Sequence, residues 1–187
     1  MQLRINLGEA SSLALGDWGW TQIANFLVSG LLTLAFAVSL RRAFRPPEGS
    51  TWGPLLVGAW AVGLLGAGVF VTDPVNGYPP GVPDRMAGYS WHGALHDLFS
   101  LFAFAALAAA CCVFGRRFAA RGERGWTTCT VVTGGVFVSA LSSSSAGFGR
   151  AEGQVELAGL FQRVAVIVGF DWLTLLAVRF LRSSSER

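Results

Sequence analysis

LFSLFAFAALAAACCVFG, residues 98–115, contains no acid and no base, and this run decides what kind of chain it belongs to. A helix rises about 1.5 Å per residue, so roughly 20 apolar residues cross the hydrocarbon layer of a bilayer. Three further stretches, 18–40, 50–72 and 126–149, are equally free of charge, and a fifth, 157–178, is interrupted only by Arg163 and Asp171. The whole chain agrees with its parts. Of 187 residues, 52% are apolar and 13% charged, with a mean hydropathy of +0.51, whereas soluble domains carry about 25% charged residues. The reading is an all-α polytopic integral membrane bundle forming one domain over residues 1–187. Its five transmembrane helices are placed near 20–41, 52–72, 91–114, 126–148 and 157–178. Trp18, Trp20, Trp52, Trp91, Trp126 and Trp172 fall at or near the ends of these runs, as interfacial anchors should.

All 14 basic residues are arginine, and they are unevenly shared. Arg41, Arg42, Arg45, Arg116, Arg117, Arg121, Arg124, Arg179, Arg182 and Arg187 fall on one side of the predicted spans. Arg4, Arg85 and Arg150 fall on the other, among Glu9, Asp17, Asp73, Asp84, Glu152 and Glu156. Arginine-rich loops stay in the cytoplasm. The expectation is therefore a bacterial inner-membrane protein with its N-terminus outside and its C-terminus inside. The first 16 residues lack the apolar core and cleavage site of a signal peptide. No basic groove supports nucleic-acid binding, and no glycine loop points to a nucleotide. Cys111, Cys112 and Cys129 lie inside spans and read as small packing residues.

Chemistry concentrates in His92-Gly93-Ala94-Leu95-His96-Asp97, which holds both histidines of the chain at the start of the third span. Residues four apart share a helix face, so both imidazoles can address one object. On the predicted outer side the same pole collects Asp73 from the second span, Gln162 and Arg163 from the fifth, and Asp17, Gln22 and Asn25 from the first. Ionisable groups at membrane depth are costly unless paired or functional.

Three readings of that cluster stay open. It is an ion-pair and hydrogen-bond clasp on the helix ends, in a protein that acts as a non-catalytic scaffold or accessory subunit. Or it is a pocket for a small lipid-like or amphipathic molecule, lined by Asp73, Gln162, Arg163, Gln22 and Asn25, with Arg163 holding an anionic head group and the histidines donating hydrogen bonds. Or it is an enzyme site acting on a hydrophobic substrate, with His92 or His96 as general base, Arg163 steadying a developing anion, and Asp97 orienting a ring. In the metal-dependent form of that last reading, His92 and His96 hold a divalent ion such as zinc, completed by Asp73 or Asp97. Haem is not expected, because two histidines one turn apart cannot grip opposite faces of one iron porphyrin.

Several strings resemble a known bacterial membrane family. They are Leu15-Gly16-Asp17-Trp18-Gly19-Trp20-Thr21-Gln22-Ile23-Ala24-Asn25-Phe26; Asp73-Pro74 with Gly77-Tyr78-Pro79-Pro80-Gly81; the His92–Asp97 string; and Gly159-Leu160-Phe161-Gln162-Arg163. In this order they resemble the family of unknown function numbered 998, over almost the whole chain from Ser11. The resemblance implies a multi-helix membrane fold, usually of six spans, and carries no settled activity. The family's recurring polar motifs fall on Asp73, His92, His96, Asp97, Gln162 and Arg163. Before Ser11 the family's usual first span is not seen. A start further upstream, or the loss of one helix, accounts for this. The His-x-x-x-His spacing is also similar to that of seven-span metal-dependent lipid hydrolases, which need a third histidine that this sequence lacks.

Overall fold

The computed structural model describes residues 10–43, 51–74, 88–148 and 155–185, apart from the side chains at 148, 155–156 and 183–185. A short 3-10 segment, Ala10–Leu15, leads into α1 (Gly19–Ala43). Then come α2 (Trp52–Val69), α3 (Trp91–Ala120), α4 (Arg124–Phe148) and α5 (Val155–Ser185). These five helices are long and apolar enough to cross a membrane, and no strand occurs among the described residues. The protein is a multi-pass helical membrane protein. At 1.5 Å per residue, α2 spans about 27 Å and α5 about 46 Å.

Helix is the backbone's natural solution here, because hydrocarbon offers no partner for a free N–H or C=O. Pro54 sits in the first turn of α2, where its missing N–H removes no intrahelical bond. Between α3 and α4 the chain reverses through Gly122, whose φ of +71° is one glycine adopts freely. The proline- and glycine-bearing stretch 75–87, whose fixed φ angles and missing donors predict a non-helical cap, lies outside the described residues, as does the 149–154 connection.

Each helix packs on the next in the chain, and the 3-10 segment touches both α1 and α5, the two ends of that series. The α2–α3 seam is close because small residues line it. A methyl group on Gly63 would stand 2.5 Å from Ala103 Cβ and 2.7 Å from the Phe99 carbonyl oxygen, and Gly66 gives its space to the Phe99 ring. The glycine and alanine rows of these two spans thus meet inside the bundle, where close backbone approach replaces hydrophobic drive.

Trp60, fully buried, is the hub of the core. Its ring centroid lies 5.9 Å from Phe104 on α3, 6.3 Å from Phe137 on α4 and 5.7 Å from Phe170 on α5. Many large apolar side chains, among them Leu31, Leu32, Leu101, Val131 and Ile167, are exposed, as suits helices solvated by lipid.

Four of the six tryptophans read as anchors, Trp18, Trp20, Trp52 and Trp91, are exposed at helix ends. Trp126 is half-buried, and Arg179 holds its guanidinium carbon 4.8 Å from the Trp126 ring and 4.9 Å from that of Phe118. Trp172 departs from the expectation. It is only 1% exposed, its Nε1 donates to Thr130 Oγ1 at 3.1 Å, and Phe114 meets it edge-on at 5.6 Å. A partner for the indole N–H inside the bundle lets this ring serve the core.

Candidate functional site

One pole of the bundle joins the end of α2 to the starts of α1, α3 and α5. Helix chemistry alone makes this pole demanding, since the last carbonyls of α2 and the first N–H groups of α3 have no partners within their helices. Two predicted residues meet that demand. Asp73, buried at 8% exposure, accepts from Ser90 N at 2.8 Å and from Ser90 Oγ at 2.5 Å. Ser90 Oγ in turn accepts from Gly93 N at 3.0 Å, capping α3. Gly93 is open enough to admit the carboxylate, because a Cβ there would collide with Asp73 Oδ2.

His96, 3% exposed, sets Nδ1 3.0 Å from the Ala67 carbonyl oxygen and 2.8 Å from that of Phe70. Carbonyl oxygens only accept, so Nδ1 carries a proton and donates toward both. In the neutral ring Nε2 is then an acceptor. The imidazole thereby closes the C-terminal end of α2, with Phe26 of α1 edge-on at 6.2 Å.

The two histidines share a face without sharing surroundings. His92 is exposed, lies against Trp91 with ring centroids 3.4 Å apart, and is 6.5 Å from Phe70. One turn along the helix is about 6 Å of depth, and that depth carries His96 into the bundle while His92 stays at its surface. Asp97 is exposed as well and accepts from the Tyr89 hydroxyl. Among the described residues, no three His, Cys, Asp or Glu side chains gather closely enough to hold a metal ion.

Below the clasp lies a cavity of about 80 Å³. The 3-10 segment, α1, α2, α3 and α5 all contribute to its wall. Of the predicted residues, Gln22, Asn25, His96 and Gln162 line it, whereas Asp73, His92, Asp97 and Arg163 do not. Gln162 also fastens the 3-10 segment above it, its Oε1 accepting from Ala10 N at 2.8 Å. Arg163, next in the chain, is half-buried with Nη1 withdrawn from the surface. Asp17 is exposed.

Sequence reasoning passed over four side chains with hydrogen-bonding groups on this wall: Ser11, Ser29, Trp60 and Ser100. Three left a readable signal. Gln22, Asn25 and Ser29 form one polar stripe at helical spacing on α1, with Ser29 Oγ 3.4 Å from Asn25 Oδ1. Ser100 follows His96 by one turn. Trp60 stands in the middle of its apolar run, where an interfacial anchor would not. Its Nε1 is buried and has no hydrogen-bond partner among the described residues.

Residues 9–179 match the family described as protein of unknown function (DUF998). No curated protein and no solved structure is similar enough to the chain to match it.

Proposed function

The chain belongs to the DUF998 family, and we propose that this member binds a small amphipathic, lipid-like molecule in the cavity beneath the 3-10 segment. The observation that carries the reading is the Trp60 indole: a buried donor without an acceptor among the described residues, on the wall of a cavity in a membrane bundle. Buried donors are almost always satisfied, so the partner of Trp60 is to be sought inside the cavity. Gln22, Asn25, His96 and Gln162 supply polar contacts there, and Phe26, Leu64, Phe104 and Phe170 supply apolar ones. That is the usual make-up of a ligand pocket. The arginine asymmetry supports an outward-facing mouth, with the C-terminus in the cytoplasm.

A second reading concerns the part of the cluster outside the cavity. Asp73, Ser90 and the Nδ1 edge of His96 form a structural clasp between α2 and α3, supported by the hydrogen bonds of Ser90 to Asp73 and of His96 to the Ala67 and Phe70 carbonyls. Clasp and pocket meet at His96.

Native mass spectrometry of protein released gently from membranes tests the binding reading. The expected spectrum shows one lipid-mass adduct per chain, lost in a Gln22→Leu, Asn25→Leu double variant of unchanged helicity. Wild-type protein that emerges without any adduct, or a variant that keeps it, removes the proposal.

A further inference from the structure

The chemistry of the cavity wall narrows the ligand, given that the binding reading holds. We infer that the site takes an uncharged lipid whose head carries hydroxyl or ester oxygen, of the acylglycerol type, with an oxygen accepting from Trp60 Nε1.

Charge comes first. Among the described residues, no Asp, Glu, Lys or Arg lines the cavity. A carboxylate or phosphate drawn into it would give up its hydration and meet no counter-charge on the described wall, which is the costliest form of burial. Neutral amides and hydroxyls ask for the opposite kind of guest. Gln22 and Asn25 each offer donors and an acceptor, Ser29 and Ser100 offer hydroxyls, and a hydroxyl head can answer both kinds of group. His96 is committed through Nδ1 to the end of α2, which leaves Nε2 to accept from a ligand hydroxyl.

Size comes second. About 80 Å³ holds several water molecules or the few heavy atoms of a small head, and not an acyl chain. The chain must leave the bundle, and one route is provided. α1 and α5 are joined chiefly through the 3-10 segment, with little direct contact between the two helices themselves. A tail lying along that seam reaches the lipid while its head stays under the segment latched by Gln162.

The test uses the full chain in dodecyl maltoside micelles and three radiolabelled probes sharing one tail: 1-monooleoylglycerol, oleate and 1-oleoyl lysophosphatidate. Retention per protein is measured after gel filtration. Monooleoylglycerol is expected to be held at least tenfold better than either anionic probe. Trp60→Phe should weaken it about tenfold, the worth of one buried hydrogen bond. Should Trp60→Phe fail to fold, Asn25→Leu serves in its place and is expected to weaken retention in the same direction. Better or equal retention of an anionic probe overturns the headgroup assignment while leaving the binding reading standing. Retention of no probe, with solvent exchange detected at Trp60 Nε1, assigns the cavity to water and overturns both. Retention unmoved by either variant places the lipid elsewhere and overturns both as well.

Discussion

Asp73 and Ser90 hold each other across the α2–α3 connection, the carboxylate accepting from both the backbone N and the hydroxyl of the serine. The pair stands at the N-terminus of α3, where a negative charge also meets the positive end of the helix dipole. Asp73→Ala should therefore cost about 1–3 kcal/mol, the range for a buried cap and its orphaned donors. Thermal unfolding in micelles measures the loss. Lipid retention at temperatures where the variant stays folded should not change, because Asp73 lies off the cavity wall. A variant with wild-type stability and reduced retention would reverse the roles given to clasp and pocket.

His96 ties the same two helices from the other direction. Its Nδ1 serves the carbonyls of Ala67 and Phe70, which lie in the last turn of α2 and its cap. His96→Leu removes that donor and should destabilise by about 1–3 kcal/mol. His96→Asn keeps a donor of similar reach and should recover part of the loss. Equal melting temperatures for the two variants would show that ring volume, not the hydrogen bond, matters at this position.

The bundle was legible in the sequence because charge-free runs of spanning length admit few other structures, and arginine-bearing connections punctuate them. The pole was legible for the same reason: alternating spans bring residues at their ends together, as Asp73 with Ser90 and Phe26 with His96 demonstrate. What spacing could not reveal was depth. The i, i+4 relation puts His92 and His96 on one face, but only the position of the end of α2 decides that His96 is buried and His92 is not. Trp172 makes the same point. Its place near the end of the fifth apolar run suggests an interface, and the fact that overrides this, Thr130 lying opposite on α4, is a tertiary one.

That Trp172–Thr130 hydrogen bond joins two side chains buried between α4 and α5. Thr130→Val keeps the shape and leaves the indole N–H without its acceptor, at an expected cost of about 1–2 kcal/mol. Trp172→Phe removes the donor instead and gives up ring volume. In a double-mutant cycle the Thr130→Val change should cost little once Trp172 is phenylalanine, leaving a coupling of about 1 kcal/mol. Strict additivity would mean that the bond contributes nothing net to the bundle.

At the pole away from the histidines, Arg179 near the end of α5 pairs with Glu123 while its guanidinium lies against Phe118 and Trp126. The two partners are 27% and 25% exposed, so the ion pair is only partly screened. Glu123→Gln removes one charge and keeps a hydrogen-bond acceptor, so its cost should stay near or below about 1 kcal/mol. Arg179→Lys is the sharper change. A lysine preserves the charge but not the flat guanidinium that can lie on two aromatic faces while reaching a carboxylate. The expected order of destabilisation is Arg179→Ala above Arg179→Lys, with Glu123→Gln least. Melting curves at low and high salt separate the contributions, since salt weakens the ion pair and leaves ring contact nearly untouched. If Glu123→Gln proved as damaging as Arg179→Ala, the carboxylate rather than the two rings would be what holds the end of α5 to the α3–α4 turn.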